Sequence, residues 1–442
     1  MYEVFKNVFY FPLRKTLVKV SGSNYISEAK QIVDNIPEVD YYDDNGVVYH
    51  TNSVKLPCSI QIYPTSNCNL RCKYCFNDCG YVEGRNLNVN KAKSFIYQVI
   101  RNLYIIKSIN GKCNAFDLTM CGGGEPTYDW TLFTEIVDYA ASLVKKYNIP
   151  KKFQLTSNLF ISNKKNLDYI IENFEHVHIS TDGYEEIQNF QRPSFNEKPS
   201  YPIVSKAIKY VSEGMSKKNA LCGLRATVSS KYVDKMSDIV EFVHEEYPFV
   251  KYIQFEPLNW VRKTERVECI SPPDVKDFAE NLIKAHGLCT KYNINMSSCF
   301  GDINYIRKKG SFCDAVLGHC LMLNYDGDIL NCSEASNDNK RTYEKFLIGH
   351  IDDENHIEWF NTPITEKNCN DKCQKCFAWY TCGGGCLHSV LDYERNRQFR
   401  CELSRASVLA SLNEVINERY SAVGLSVKKS SYCESNVIVY SW

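Results

Sequence analysis

Three cysteines, Cys68, Cys72 and Cys75, lie at C-x3-C-x2-C spacing in the run Ser66-Asn-Cys-Asn-Leu-Arg-Cys-Lys-Tyr-Cys-Phe76. Three thiolates can hold three irons of a [4Fe–4S] cube, whose usual complement is four cysteines. A run that stops at three leaves one iron without a protein ligand. By the logic that separates open catalytic zinc sites from closed structural ones, an open metal corner is where a substrate or cosubstrate binds. Zinc is the bland alternative, but it usually shows paired Cys-x2-Cys or Cys/His sets. No fourth ligand follows at zinc-finger spacing, and Cys79 would close an unusual knuckle.

This run resembles the signature of the radical S-adenosylmethionine (radical SAM) enzymes, down to the aromatic Tyr74 just before the third cysteine. The resemblance implies that the amino and carboxylate groups of S-adenosylmethionine chelate the fourth iron. One electron from the cluster then splits the sulfonium, and the resulting 5′-deoxyadenosyl radical takes a hydrogen from the substrate. The cofactors carry that chemistry, and the protein positions them.

Such a loop needs a framework. Six β-like runs alternate with six helical runs between residues 58 and 300. The strands are expected near Cys58–Pro64, Ala115–Met120, Lys152–Thr156, His176–Ser180, Leu221–Val228 and Lys251–Glu256. Helices are expected near Lys91–Ile106, Trp130–Lys146, Lys164–Phe174, Tyr201–Met215, Tyr232–Glu246 and Asp274–Tyr292. Lys91–Ile106, for example, sets Phe95, Ile96, Val99, Ile100, Leu103 and Ile106 on one face at helical period. Strict alternation argues an α/β fold with a parallel sheet wrapped by helices. Six units make three-quarters of a TIM-like β/α barrel, and a partial barrel is what the resemblance implies.

Chemistry in such barrels sits at the carboxyl ends of the strands. The second strand runs into Cys121-Gly-Gly-Gly-Glu-Pro-Thr127. Glycines let backbone approach a ligand closely, and a carboxylate at Glu125 can accept a charged hydrogen bond from an ammonium. The stretch resembles the family's Gly-Gly-Glu motif, which implies that Gly123, Gly124 and Glu125 grip the methionine amino group. The third strand leads into Ser157 and Asn158. They suit ribose and carboxylate contacts, or form a polar strand-to-helix turn. An arginine inside a covered strand is costly unless paired, so Arg225 is expected to point to a carboxylate at the barrel mouth. Arg192 is its rival as clamp for the cosubstrate carboxylate. The alternative for both is a structural salt bridge with Asp182 or Glu125. Glu256 closes the sixth strand, facing substrate or cosubstrate.

A second cysteine field follows. Cys313, Cys320 and Cys332 surround Leu321–Leu330, which reads as a β-hairpin with an Asp-Gly turn. Cys373-x2-Cys376-x5-Cys382-x3-Cys386 and then Cys401 bring the field to eight thiols. They could close two four-ligand clusters or two structural zinc sites, and spacing alone leaves both open. Gly-x4-Cys at Gly327–Cys332, the C-x2-C-x5-C-x3-C run and the trailing cysteine resemble the SPASM extension of radical SAM peptide maturases. The resemblance implies that Cys313, Cys320, Cys332 and Cys386 hold a nearer auxiliary [4Fe–4S] cluster. Cys373, Cys376, Cys382 and Cys401 would hold a farther one. The seven-cysteine signature does not include Cys320; without it the nearer cluster would have an open iron.

At 442 residues the chain has room for two or three domains. Residues 1–57 read as an accessory segment, 58–300 as the partial barrel, 301–406 as the C-terminal cysteine-rich SPASM iron–sulfur domain and 407–442 as a helix and tail. Val8–Leu13 and Thr16–Val20 read as strands and Tyr25–Ile36 as a helix, ahead of a turn at Asp43–Gly46. That segment is expected to act as a lid or barrel plug, with a leader-binding domain as the alternative. Glu402–Tyr420 reads as a helix docked on the barrel, and Val437–Tyr440 as a late strand. Lys+Arg and Asp+Glu are equal at 52 each, so no global field favours nucleic acid or an anionic membrane. No apolar run approaches a membrane span, and the N-terminus lacks a secretory layout. Twenty-one cysteines, many at metal-ligand spacing, fit a reduced cytoplasm better than disulfides. The scattered Cys113, Cys121, Cys222, Cys269, Cys289 and Cys299 read as small hydrophobes.

The expectation is a cytoplasmic radical SAM/SPASM enzyme that modifies a ribosomally made precursor peptide or protein through an oxidative thioether or carbon–carbon crosslink. It would carry three [4Fe–4S] clusters, one binding S-adenosylmethionine and two auxiliary ones removing the surplus electron. A flavodoxin- or ferredoxin-type protein would supply electrons. Alternatives are sulfatase-type oxidation of Ser or Cys to formylglycine, small-molecule decarboxylation or dehydrogenation, an iron–sulfur electron-transfer protein, and a zinc-stabilised binding module. The peptide assignment rests on the resemblance alone.

Overall fold

The computed structural model describes residues 1–36, 59–77, 79, 84–261, 269–300, 302–303, 312–313, 315, 321–336, 340–353, 371–392, 394–432 and 435–442. The turn expected at Asp43–Gly46 and the cysteines Cys58 and Cys320 lie outside these residues.

The chain opens with β1 (Tyr2–Phe5), β2 (Val8–Phe11), β3 (Thr16–Val20) and helix α1 (Ile26–Asp34). The barrel strands follow: β4 (Ser59–Ile62), β5 (Phe116–Met120), β6 (Lys151–Ser157), β7 (His176–Ser180), β8 (Leu221–Val228) and β9 (Tyr252–Pro257). They lie side by side in chain order, every neighbouring pair parallel. The helices between and after them are α2 (Val89–Asn110), α3 (Trp130–Lys146), α4 (Lys164–Asn173), α5 (Glu185–Gln191), α6 (Tyr201–Lys217), α7 (Met236–Glu246) and α8 (Val275–Lys291). Asn88, Asp129, Asn163 and Asp274 start four of them by accepting backbone N–H groups of the first turn. The stretch expected as one helix over Tyr232–Glu246 begins as a 3-10 turn, because Tyr232 leaves helical geometry at φ −127°.

Strand alternation separates two faces. Ile60, Ile62, Leu118, Met120, Phe153, Leu155, Val177, Ile179, Leu224, Ala226, Ile253 and Phe255 are buried against the helices in the main core. Each of these side chains except Ala226 contributes roughly 1.5–3 kcal/mol on burial. The opposite face carries Gln61, Thr119, Gln154, His178, Arg225 and Gln254, so the barrel lumen is polar.

The sheet extends beyond the six expected strands. β10 (Asn295–Ser297) pairs parallel with β9. At the other end, β11 (Leu321–Leu323) pairs parallel with β4, and β12 (Asp328–Leu330) and β13 (Leu347–His350) continue antiparallel. Among the described residues ten strands therefore form one open sheet. The expected hairpin exists, with Gly327 at φ +97° in its turn. Its Leu321, Met322 and Leu323 are fully buried, so the second cysteine field is fused to the barrel's first strand.

The described part of the N-terminal segment is built into a second sheet. β14 (Lys428–Tyr432) and β15 (Val437–Ser441) join the first three strands in the order β1-β2-β3-β15-β14. Phe9, Val18, Val437 and Val439 face Ala29 and Val33 of α1. Tyr10, Leu17 and Tyr440 face Val408, Leu412 and Val415. The latter three belong to the long helix α9 (Glu394–Ile416), which starts before the expected Glu402 and packs on α8.

Candidate active site

The cysteine loop leaves the end of β4 and is clamped on two sides. On one side, Gly124 N donates to Thr65 O and Glu125 N to Asn67 O, both at 2.8 Å. Gly122 and Gly123 adopt φ +41° and +71°. A Cβ on Gly124 would lie 2.0 Å from the Asn67 carbonyl oxygen, so only glycine permits this approach. On the other side, residues 191–195 run along the loop. Arg71 N donates to Pro193 O at 2.7 Å, Lys73 N to Gln191 O at 2.9 Å and Phe195 N to Asn69 O at 3.0 Å.

Glu125 is buried at the junction. Its Oε1 accepts from Ser157 Oγ and Thr127 Oγ1, both at 2.7 Å, and from Thr127 N at 3.2 Å. Its Oε2 accepts from Asn158 N at 2.8 Å. Burial pushes its carboxyl upward, and the donors from Asn158, Thr127 and Ser157 oppose that. An ionised carboxylate has about four lone-pair sites, so Glu125 retains room at Oε2 alone. Asn158 Nδ2 reaches Cys68 Sγ at 3.8 Å and Asn69 Oδ1 at 2.9 Å. Leu70 N adds a second donor to Cys68 Sγ at 3.4 Å. Next in the chain, the buried Leu159 is held at φ +47°, a costly conformation for a branched side chain. Ser157 and Asn158 thus serve the motif loops as well as closing their strand.

Tyr74, between Cys72 and Cys75, enters a buried knot. Its hydroxyl donates to Asp182 at 2.6 and 2.9 Å and accepts from Arg192 Nη1 at 2.7 Å. Asp182 also accepts from Gln191 Nε2 at 2.8 Å and Thr227 N at 3.0 Å, and pairs with Arg192 at 3.8 Å. Of the two rival arginines, Arg192 takes the ion pair with Asp182 and is only 8% exposed. Its Nε has no protein partner among the described residues. Arg225 lies on the lumen face of β8 and is exposed there.

In the second field the described thiols lie within electrostatic reach of one another. The Cys332 thiol is pushed up by burial, then by Glu334, Cys386 and Cys313. The Cys401 thiol is pushed up by burial, then by Cys382, Cys376 and Cys373, with Arg405 opposing. Between Cys382 and Cys386 three consecutive glycines, Gly383, Gly384 and Gly385, hold φ of +60°, +92° and +79°. Such a left-handed run is open to glycine and turns the chain sharply between Cys382 and Cys386. Among the described residues the thiols approach one another without closing a cage of three or more His, Cys, Asp or Glu donors.

The donor chemistry fits the implied cofactors. Three partly exposed thiols share one loop at a barrel mouth. N–H groups point at one of them, glycine backbone lies flush against the loop, and a buried guanidinium keeps an unpaired N–H. Sequence reasoning set Cys79 aside, yet it is buried, donates to Gly123 O and neighbours Cys75, Cys68 and Cys72. It named Asp182 as a possible salt-bridge partner of the arginines but not as the partner of Tyr74; the available signal was an acid two residues past a strand end. Cys222 and Cys289 are buried and their thiols are pushed up to about 12, as hydrophobes without a role would be.

A partial barrel opening on a tri-cysteine loop is the scaffold expected of radical SAM enzymes. Residues 62–243 match the family model described as the Radical SAM superfamily. That match places the likeness on the barrel and its cysteine loop.

The chain is also 24% identical over 346 residues to the cysteine-type anaerobic sulfatase-maturating enzyme of Clostridium novyi, covering 73% of this chain and 85% of that one. Among solved structures, anSMEcpe with bound AdoMet matches with a TM-score of 0.63 at 19% identity, over 83% of this chain and 96% of that one. A form of it holding AdoMet and the Cp18Cys peptide matches at 0.59 and 19%, over 81% and 98%. SuiB of Streptococcus suis, bound to S-adenosylmethionine, matches at 0.51 and 14%, over 88% and 96%. These likenesses show a shared fold.

Proposed function

We propose that this protein is a radical SAM maturase that oxidises a cysteine or serine side chain of a peptide or protein substrate. The observation that carries the reading is the clamped tri-cysteine loop with its glycine cradle and the Asp182–Tyr74–Arg192 knot. The relative from Clostridium novyi favours sulfatase-type oxidation over the crosslink expected from sequence, because the likeness covers 73% of this chain and 85% of that one. When bound, a four-iron cluster on Cys68, Cys72 and Cys75 and S-adenosylmethionine supply an electron and a 5′-deoxyadenosyl radical.

The chain's own residues supply position. Leu70 N and Asn158 steady Cys68, and Glu125 fixes the third-strand loop to the glycine loop. Arg192, oriented by Asp182 and Tyr74, offers its free Nε–H to an anionic group at the loop. We assign two auxiliary [4Fe–4S] clusters to the second field, one on Cys313, Cys332 and Cys386 with Cys320, the other on Cys373, Cys376, Cys382 and Cys401. Their role is removal of the surplus electron, and a flavodoxin- or ferredoxin-type protein is the external donor.

The test is anaerobic reconstitution, addition of S-adenosylmethionine and dithionite, and mass analysis of the Cp18Cys peptide and of any short precursor encoded beside this chain. The reading expects sulfur exchanged for oxygen with loss of two hydrogens, matched by 5′-deoxyadenosine. Loss of two hydrogens with sulfur retained in a new bond would favour the crosslink. 5′-Deoxyadenosine without either product would sink the maturase reading.

A further inference from the structure

Arg225 lies on the lumen face of a sheet, where sequence logic demands a carboxylate partner. No hydrogen bond or ion pair to its guanidinium occurs among the described residues, and the side chain is exposed in the lumen. The other ionisable groups around it are engaged. Asp117 pairs with Lys152 at 2.9 Å and accepts from Gln154 at 2.7 Å. Glu256 accepts from Gln254 Nε2 and Cys299 N, both at 2.9 Å. Glu334 pairs with His388 at 3.3 Å, and against burial its carboxyl is held down by His388 and, at longer range, by Arg225, with no ion pair between Glu334 and Arg225 among the described residues. Asp182 and Arg192 hold each other at the rim.

The surroundings of Arg225 are built. On the layer below, His178 and Tyr252 pack edge to face at 6.0 Å across Gly223. A Cβ on Gly223 would lie 2.6 Å from Tyr252 Cδ1, so the missing side chain is what lets the tyrosine close this floor. Arg225 stands on that floor, three residues before the end of β8. At about 3.3 Å per residue its Cα lies roughly 10 Å below the rim. The rim cation beside the cysteine loop is Arg192, so the cosubstrate has its own arginine and Arg225 is left for another anion.

We infer that Arg225 reads the substrate: its guanidinium takes a carboxylate of an acidic residue flanking the target side chain as the peptide enters the barrel. The inference deepens the maturase reading and rests on it. Arginine suits the task because its planar fork can bind a carboxylate in two parallel hydrogen bonds. A charge-assisted pair of this kind gives roughly ten- to a hundredfold preference for an acidic over an isosteric neutral peptide.

The test is a display selection with the reconstituted protein and S-adenosylmethionine under anaerobic conditions. The library fixes one cysteine and randomises its flanks, with free and amidated C-termini in separate pools. Wild type is expected to enrich Asp and Glu beside the cysteine in both pools, and Arg225→Lys to keep that bias. Arg225→Gln should lose it, and Arg225→Glu should turn it toward Lys and Arg. Enrichment in the free-carboxyl pool alone would make the peptide terminus the ligand and overturn the flanking-residue assignment. A bias that Arg225→Gln leaves intact, or uniformly weaker S-adenosylmethionine binding with the bias unchanged, overturns the inference. If wild type enriches no peptide, the peptide-maturase reading falls and takes this inference with it.

Discussion

Replacing Asp182 with asparagine probes how the cysteine loop is held. The carboxylate is 1% exposed and accepts from Tyr74, Gln191 and Thr227 while pairing with Arg192. Asparagine keeps the size and removes the charge. If its oxygen stays at the Thr227 N–H, its amino group faces the Gln191 amide, which is also a donor. Hydrogen bonds to charged groups contribute about 1.5–3 kcal/mol each, and breaking one side of a buried ion pair costs about 3–5 kcal/mol. The two effects share the same contacts, so the expected loss is about 3–5 kcal/mol, not their sum. For a domain of this size that lowers the melting temperature by roughly 6–20 °C. Calorimetry of the anaerobically purified protein reads it. Arg192→Gln in the Asp182→Asn background should cost less than the two single changes added together, because it removes the orphaned cation. A melting temperature unchanged by Asp182→Asn, or strict additivity of the pair, would refute the reasoning.

Three further outcomes follow from the same geometry. Gly124→Ala forces a Cβ onto the Asn67 carbonyl, so it should cost about 1–3 kcal/mol and lower the iron bound by the Cys68/Cys72/Cys75 loop, read by iron analysis. Burial first, then His176, Arg225 and Lys152, push His178 below its ordinary value of 6.5, and burial and Lys152 do the same to His176. Because the folded values are depressed, the neutral rings contribute stability that is present above 6.5 and lost as pH falls through the folded values. Melting temperature should therefore drop on acidification below 6.5, and less steeply in His178→Asn. Iron per chain should be about twelve with three four-iron clusters and fall to about eight in Cys401→Ala; zinc in place of iron in the second field would contradict the auxiliary clusters.

The barrel was legible because its signals are local. Each strand from β5 to β9 is a short apolar alternation bounded by turn residues, and each helix carries its own periodic face, so the bounds of β7, β8 and α3 were foreseen to the residue. Pairing between distant segments was not. Thr16–Val20 meets Val437–Ser441, and Leu321–Leu323 meets Ile60–Ile62, with nothing in either short strand to name its partner. The site followed the same division. Spacing singled out the cysteines and Gly123–Glu125, because one loop carries each set. Asp182 was named as one of two carboxylates that could pair with Arg192, but the choice between them, the lumen position of Arg225 and the burial of Cys79 are products of tertiary packing.

Everything depends on S-adenosylmethionine docking at an iron that the Cys68/Cys72/Cys75 loop leaves open. Electron paramagnetic resonance of the reconstituted, dithionite-reduced protein with and without S-adenosylmethionine addresses that directly. The account predicts a change in the reduced-cluster spectrum on addition, followed by 5′-deoxyadenosine, both absent in Cys72→Ala. An identical spectrum with and without the nucleoside, or 5′-deoxyadenosine from Cys72→Ala at the wild-type rate, would contradict it.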